Sequence, residues 1–93
     1  MSKVERHASI CENLTSMYEK KNNDYGDSFA KLRNEFPNSI LYRVFDKYNR
    51  LKTLKSGTTQ MVKDESIRDT LLDIANYCIL EIIEMDIEEE GEK

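Results

Sequence analysis

The sequence predicts an all-α protein, a compact antiparallel bundle of about four helices. Three observations point there. Only one proline and three glycines interrupt 93 residues, so the chain has few helix breakers. Charged residues make up 34% of it, and β-branched runs are short. Apolar residues recur at spacings of three and four in successive segments separated by recognisable stops. At this length the chain is one domain, with residues 1–88 as the helical body and 89–93 as an acidic tail.

The first helix is expected from about Lys3 to Asn22. Ser2 followed by Glu5 reads as a capping box, each side chain satisfying a free amide of the other residue. Val4, His7, Ile10, Cys11, Leu14 and Tyr18 form its apolar face, and His7, the only histidine, reads as a buried hydrogen-bonded residue. Asn22 to Gly26 reads as a turn, since Asn and Asp bond their own backbone and Gly accepts positive φ. Asp27 or Ser28 then caps a short helix over Phe29 to Phe36, closed by Pro37.

A third helix is expected from Asn38 or Ser39 to about Lys55, with Ile40, Leu41, Val44, Tyr48 and Leu51 facing the core. Ser56-Gly57 is a helical stop. Residues 58–63 read as a linker, and the fourth helix as beginning near Asp64 to Ser66 and running to Glu88. Ile67, Leu71, Ile74, Cys78, Ile82 and Met85 make its apolar stripe, widened by Leu72, Ile79 and Ile83. That width predicts burial on two sides, through a homo-oligomer.

Composition narrows the partners. No stretch approaches the ~20 apolar residues of a membrane span, and the N-terminus lacks a signal-peptide core. The expected location is cytoplasmic, with no membrane partner. Cys11 and Cys78 read as two small buried hydrophobes. The net charge is −4, with the acids concentrated after Glu84, while Arg43 to Lys55 is basic. A basic segment in an acidic protein favours a small anion over duplex nucleic acid.

Three constellations could carry chemistry. Glu65, Asp69, Asp73 and Asn76, spaced four, four and three, line one edge of the fourth helix. They could hold a hard cation such as Mg²⁺, or pair with cations of the third helix. Arg43, Lys47 and Arg50 form a row able to clamp phosphate or to pair with those acids. Lys21 through Asp24-Tyr25-Gly26 could offer a tyrosine to stack on a base, or a tyrosine packed on the core. There is no nucleophilic triad, glycine-rich phosphate loop or zinc pattern.

These motifs occur in order as Lys21-Asn-Asn-Asp24-Tyr25-Gly26, Arg43-x-x-Asp46-Lys47-x-x-Arg50-Leu51 and Glu65-Ser66-x-x-Asp69-Thr70-Leu71-x-Asp73-x-x-Asn76-Tyr77. Together they resemble the family called nucleotide modification associated domain 1, found widely in bacteriophage genomes. The resemblance spans roughly residues 14–80. It implies a compact helical phage protein, acting in an infected bacterial host cell and linked to nucleotides without a settled reaction. Carried over by analogy, the site is Asp24, Tyr25, Arg43, Lys47, Arg50, Glu65, Asp69, Asp73 and Asn76, with Lys21 beside them.

Two functions follow from the resemblance. One is an anti-defence sponge that captures a nucleotide immune signal without converting it and needs no cofactor. The alternative is a Mg²⁺-dependent pyrophosphohydrolase of the MazG type, with Glu65, Asp69 and Asp73 as metal ligands and a metal-activated water. The chain departs from that second pattern, because the first helix has no E-x-x-E pair. Its acids Glu5, Glu12 and Glu19 are seven residues apart. The expectation is therefore binding rather than turnover, with an interaction module for a host protein as a third class.

Overall fold

The computed structural model describes residues 1–25, 27–56 and 60–91, with the side chains of Asp24, Tyr25 and residues 60–65 outside the description. Among the described residues there are four helices and no strand: α1 Lys3–Tyr25, α2 Ser28–Glu35, α3 Ser39–Ser56 and α4 Gln60–Gly91. The all-α architecture is the one expected.

Local chemistry caps the first two helices. Ser2 and Glu5 form the reciprocal box: the Ser2 N–H donates to Glu5 Oε1 at 3.0 Å, and the Glu5 N–H donates to Ser2 Oγ at 3.1 Å. Asp27 caps α2, its Oδ1 accepting from the Ala30 N–H at 3.3 Å. Phe36, with φ −128° and ψ 86°, has already left the helix, as the residue before a proline must. The chain then turns through Pro37 and Asn38, with the Ser39 N–H on the Phe36 carbonyl at 2.9 Å, and α3 begins.

Several boundaries differ from expectation. α1 continues past Asn22 to Tyr25, because nothing between Lys20 and Tyr25 breaks a helix; Gly26 is the first residue that would, and it lies outside the described residues. α2 stops one residue early, at Glu35. α4 starts at Gln60, inside the expected 58–63 linker, and runs through the acidic tail to Gly91. At 1.5 Å per residue its 32 residues span ~48 Å, and the molecule is 49 Å in its longest dimension.

The core is a hairpin of α3 and α4 with α1 laid along α4 and α2 bridging the start of α3. Leu14 of α1, Phe29 of α2 and Leu80 of α4 are its buried apolar anchors. Thr70 is the most enclosed side chain; its hydroxyl donates to the Ser66 carbonyl at 2.7 Å, so it is buried without an unmet donor. The expected apolar face of α1 is only partly used. Leu14 is buried and Tyr18 half-buried, but Val4, His7 and Cys11 are exposed. Cys78 is exposed as well, which corrects the reading of both cysteines as buried. The reason is that α1 meets α4 through its C-terminal half, and its first turns have no neighbour among the described residues.

One ion-pair cluster fastens α2 to α4. Arg33 Nε lies 3.1 Å from both carboxylate oxygens of Glu81, and Arg33 Nη1 reaches Glu88. Arg33 and Glu81 are mostly buried, so this pair is worth more than a surface bridge. The hydrogen bond from Arg33 holds the Glu88 carboxyl below its usual range, against a smaller opposing effect of burial. The Ser2 backbone and hydroxyl do the same for Glu5. Both carboxyls titrate lower folded than unfolded. Their contribution is full above the unfolded value of ~4.3 and is lost as pH falls through the lowered folded values.

Replacing Arg33 leaves the mostly buried Glu81 without its cation. Arg33→Ala is expected to lower Tm at neutral pH by roughly 5 °C or more. The gap to wild type should narrow as pH falls from about 4.3 through the lowered folded value of Glu88, where the carboxylate that Arg33 holds becomes protonated. Circular-dichroism melts across that pH range check both statements; a pH-independent gap, or none, contradicts them.

Candidate functional site

The α3–α4 hairpin fixes the site. The helices run antiparallel, so Arg43 lies opposite Tyr77 and, one turn along, Lys47 lies opposite Asp73. Lys47 Nζ is 3.1 Å from Asp73 Oδ2. The Arg43 guanidinium carbon sits 5.0 Å from the Tyr77 ring centroid and 5.3 Å from that of Phe29. The two rings are themselves stacked, 6.3 Å apart and 22° from parallel. Arg43 is thus held by two aromatic faces rather than by a carboxylate. Its Nε is buried and has no hydrogen-bond partner among the described residues. A buried donor left unmet costs stability, and Arg43 Nε is the one buried side-chain group among the described residues that lacks a partner.

Phe29 reaches this position because Asp27 caps α2 two residues earlier. The cap starts the helix where the second residue turns inward, and Phe29 is buried. The end of α1 closes the other side. Together the four helices enclose a cavity of about 190 Å³. Its aromatic wall is Tyr18, Phe29 and Tyr77, with Leu80 beside them. Its polar lining is Lys21, Asn22, Asp27, Ser28, Arg43, Asp73 and Asn76. Burial, reinforced by the charges of Asp27 and Glu84, pushes the Tyr18 hydroxyl above its usual range. It stays protonated at neutral pH and can donate to a bound group.

The cavity brings together four of the residues expected from sequence: Lys21, Arg43, Asp73 and Asn76. Lys47 stands behind it, neutralising Asp73. Arg50 is exposed on α3 and lines none of the described cavities. The basic row therefore divides, with Arg43 in the site, Lys47 in an ion pair and Arg50 in solvent. Asp69 and Asp73, one turn apart on α4, line different hollows. Asp69 lines a separate groove of about 310 Å³ between α1 and α4, beside Arg68, Ile10 and Asn13. The side chains of Asp24, Tyr25 and Glu65 lie outside the described residues. Among the described residues no three His, Cys, Asp or Glu side chains converge as metal ligands.

Sequence reasoning missed Tyr18, Asn22, Asp27, Ser28, Phe29 and Tyr77 as site residues. Tyr77 had a signal. It stands four residues after Asp73, as Arg43 stands four before Lys47, and an antiparallel hairpin that pairs the second two must pair the first. Phe29 had none, because its place depends on how α2 folds back onto α4.

The fold and site define a small all-helical protein with a cationic, aromatic-walled pocket at a helical hairpin. The chain belongs to the nucleotide modification associated domain 1 family, whose profile matches residues 21–85. That span takes in every residue of the pocket except Tyr18, and the family description ties the chain to nucleotide modification. Comparisons with characterised proteins and with solved structures find no match. No helix among the described residues is long and apolar enough to cross a membrane.

Lys47 and Asp73 are 23% and 42% exposed, so solvent screens their attraction. A double-mutant cycle of Lys47→Ala and Asp73→Ala, read by urea denaturation, is expected to give a coupling of about 0.2–1 kcal/mol. A coupling above ~2 kcal/mol would mean that this pair, not the aromatic cradle of Arg43, sets the hairpin register.

Proposed function

We propose that the protein binds a phosphate-bearing nucleotide and holds it unconverted, as a phage sponge for a nucleotide immune signal. The observation that carries this reading is Arg43, a permanently charged planar donor held between Phe29 and Tyr77 at the cavity wall with its Nε unmet. Guanidinium groups suit phosphate because their fork of donors matches its oxygens. Lys21 adds a second cation at the α1 side of the cavity. Asn76 supplies both a donor and acceptors for a base edge or ribose, and Asp73 is restrained by Lys47 rather than free to repel phosphate. The family's link to nucleotide modification supports the same ligand class.

Size limits how the ligand sits. About 190 Å³ is less than the ~300–1,000 Å³ of sites that enclose a whole small molecule. The cavity takes one end of a nucleotide, and the remainder lies over the end of α1, where Asp24 and Tyr25 stand in sequence. Carboxylates here would orient cations and accept from the ligand.

The test is a panel of linear, cyclic and ADP-ribose-type nucleotides, with and without Mg²⁺, read first by thermal shift and then by chromatography of the denatured mixture. The expected result is stabilisation by at least one nucleotide, recovered intact. Conversion to a monophosphate that depends on Mg²⁺ overturns the sponge and supports a pyrophosphohydrolase; absence of any shift overturns nucleotide binding itself. With the stabilising ligand, Arg43→Ala should weaken affinity tenfold or more, a loss of ~1.4 kcal/mol. Arg50→Ala should change it by less than about threefold, since Arg50 is exposed and outside the cavity.

A further inference from the structure

The α3–α4 hairpin has two flanks. One carries α1, α2 and the cavity. The other is bare among the described residues, and it is apolar. On α4, Leu71, Ala75, Cys78, Ile82 and Met85 follow one another at spacings of four, three, four and three, and all are exposed. On α3, Leu41, Phe45 and Tyr48 repeat at four and three, and the same row continues as Lys52 and Lys55. The large side chains of the two rows are 49% to 65% exposed, cysteine and alanine aside. This alternation is the one by which helices interdigitate along a common seam.

Helix geometry puts both rows on one flank. Arg43 and Lys47 mark the side of α3 that meets α4, and Tyr77 and Asp73 the side of α4 that meets α3. At 100° per residue each exposed row is centred about 140° further round in the direction of increasing residue number. Because the helices are antiparallel, both rotations lead to the same side of the hairpin, with each row also leaning outward from the neighbouring helix. The cavity residues lie the other way.

We infer that this flank is where a second copy of the chain docks, the two hairpins packing face to face into a four-helix bundle. The accessible surface of the whole chain is 7564 Å², where a folded monomer of 10.9 kDa exposes ~5,600 Å². The excess of roughly 2,000 Å² includes the exposed first turns of α1 and last turns of α4, and it leaves room for the ~800 Å² each partner buries in a standard interface. An isologous dimer uses one such patch on each copy.

Charge sets the orientation. One end of the hairpin carries Arg50, Lys52 and Lys55; the other carries Glu84, Asp86, Glu89 and Glu90. A two-fold axis along the helices would bring the two acidic ends together. An axis crossing the helices brings the basic end of each copy beside the acidic end of the other. It passes near Cys78, the middle member of the α4 row, so Cys78 of one copy approaches Cys78 of the other. The cavities stay on the outer flanks, one per copy, and assembly does not depend on ligand.

Sedimentation equilibrium of the full chain is expected to give twice the chain mass, and Ile82→Glu the single mass with helical circular dichroism retained. A wild-type protein that stays at 10.9 kDa across micromolar concentrations overturns the proposal. Should Ile82→Glu unfold, cross-linking decides. Cys11→Ser protein under mild oxidation should form a Cys78–Cys78 disulfide dimer rapidly, at a rate that does not rise with concentration once the dimer is saturated. A self-associating protein in which Cys78 fails to cross-link overturns the docking face and its axis.

Discussion

Arg43 and Lys47 stand one turn apart on α3, and Tyr77 and Asp73 stand one turn apart on α4. The antiparallel hairpin sets each against its counterpart, and most of what is distinctive here depends on that register. A slip of one turn would carry Arg43 off the Tyr77 ring and leave Asp73 without Lys47. It would also remove the surface on which Phe29 lies. Phe29 in turn is how α2 closes over the hairpin, with Arg33, Glu81 and Glu88 fastening its far side. The register is thus marked by a cation–aromatic contact and an ion pair, both specific in direction, where apolar packing alone would tolerate sliding.

The same hairpin separates two tasks. Its polar flank collects the end of α1, the start of α2 and the Arg43 cradle into a pocket. Its opposite flank is an apolar ladder with no cover among the described residues. A domain of this size has a thin core, three buried apolar side chains among the described residues, and small domains bury a small share of their surface. Pairing the bare flanks would give the core depth that the single chain lacks, while leaving the pocket open to solvent. Stability and ligand recognition would then be handled on different faces of α4, and the wide apolar circumference of that helix would follow from the pairing.

Much of the fold was legible because caps and breakers are local. The Ser2–Glu5 box, the Asp27 cap and the exit before Pro37 each follow from residues a few positions apart. The boundaries that moved, at the end of α1 and both ends of α4, lack a strong breaker, and there tertiary contact and helix continuity decide. The site was half legible. Lys21, Arg43, Asp73 and Asn76 were found because they lie on polar edges at helical spacing. Lys47, Arg50 and Asp69 share that spacing and have other environments, since a helical wheel reports direction but not what stands opposite. Phe29 and Tyr77 read as ordinary core aromatics; only their contact with Arg43 makes them part of a site. The exposure of Cys11 and Cys78 was invisible for a related reason, because apolar periodicity marks a face that wants cover without saying whether the same chain supplies it.

In the proposed function Arg43 holds its unpartnered Nε for an acceptor brought by a phosphate-bearing nucleotide. Side-chain NMR of the Arg43 Nε–H during a nucleotide titration tests it most directly. As the ligand binds, this resonance is expected to shift and its exchange with solvent to slow. Saturable binding that perturbs other residues while the Arg43 Nε–H stays unshifted and exchanges as before would contradict it.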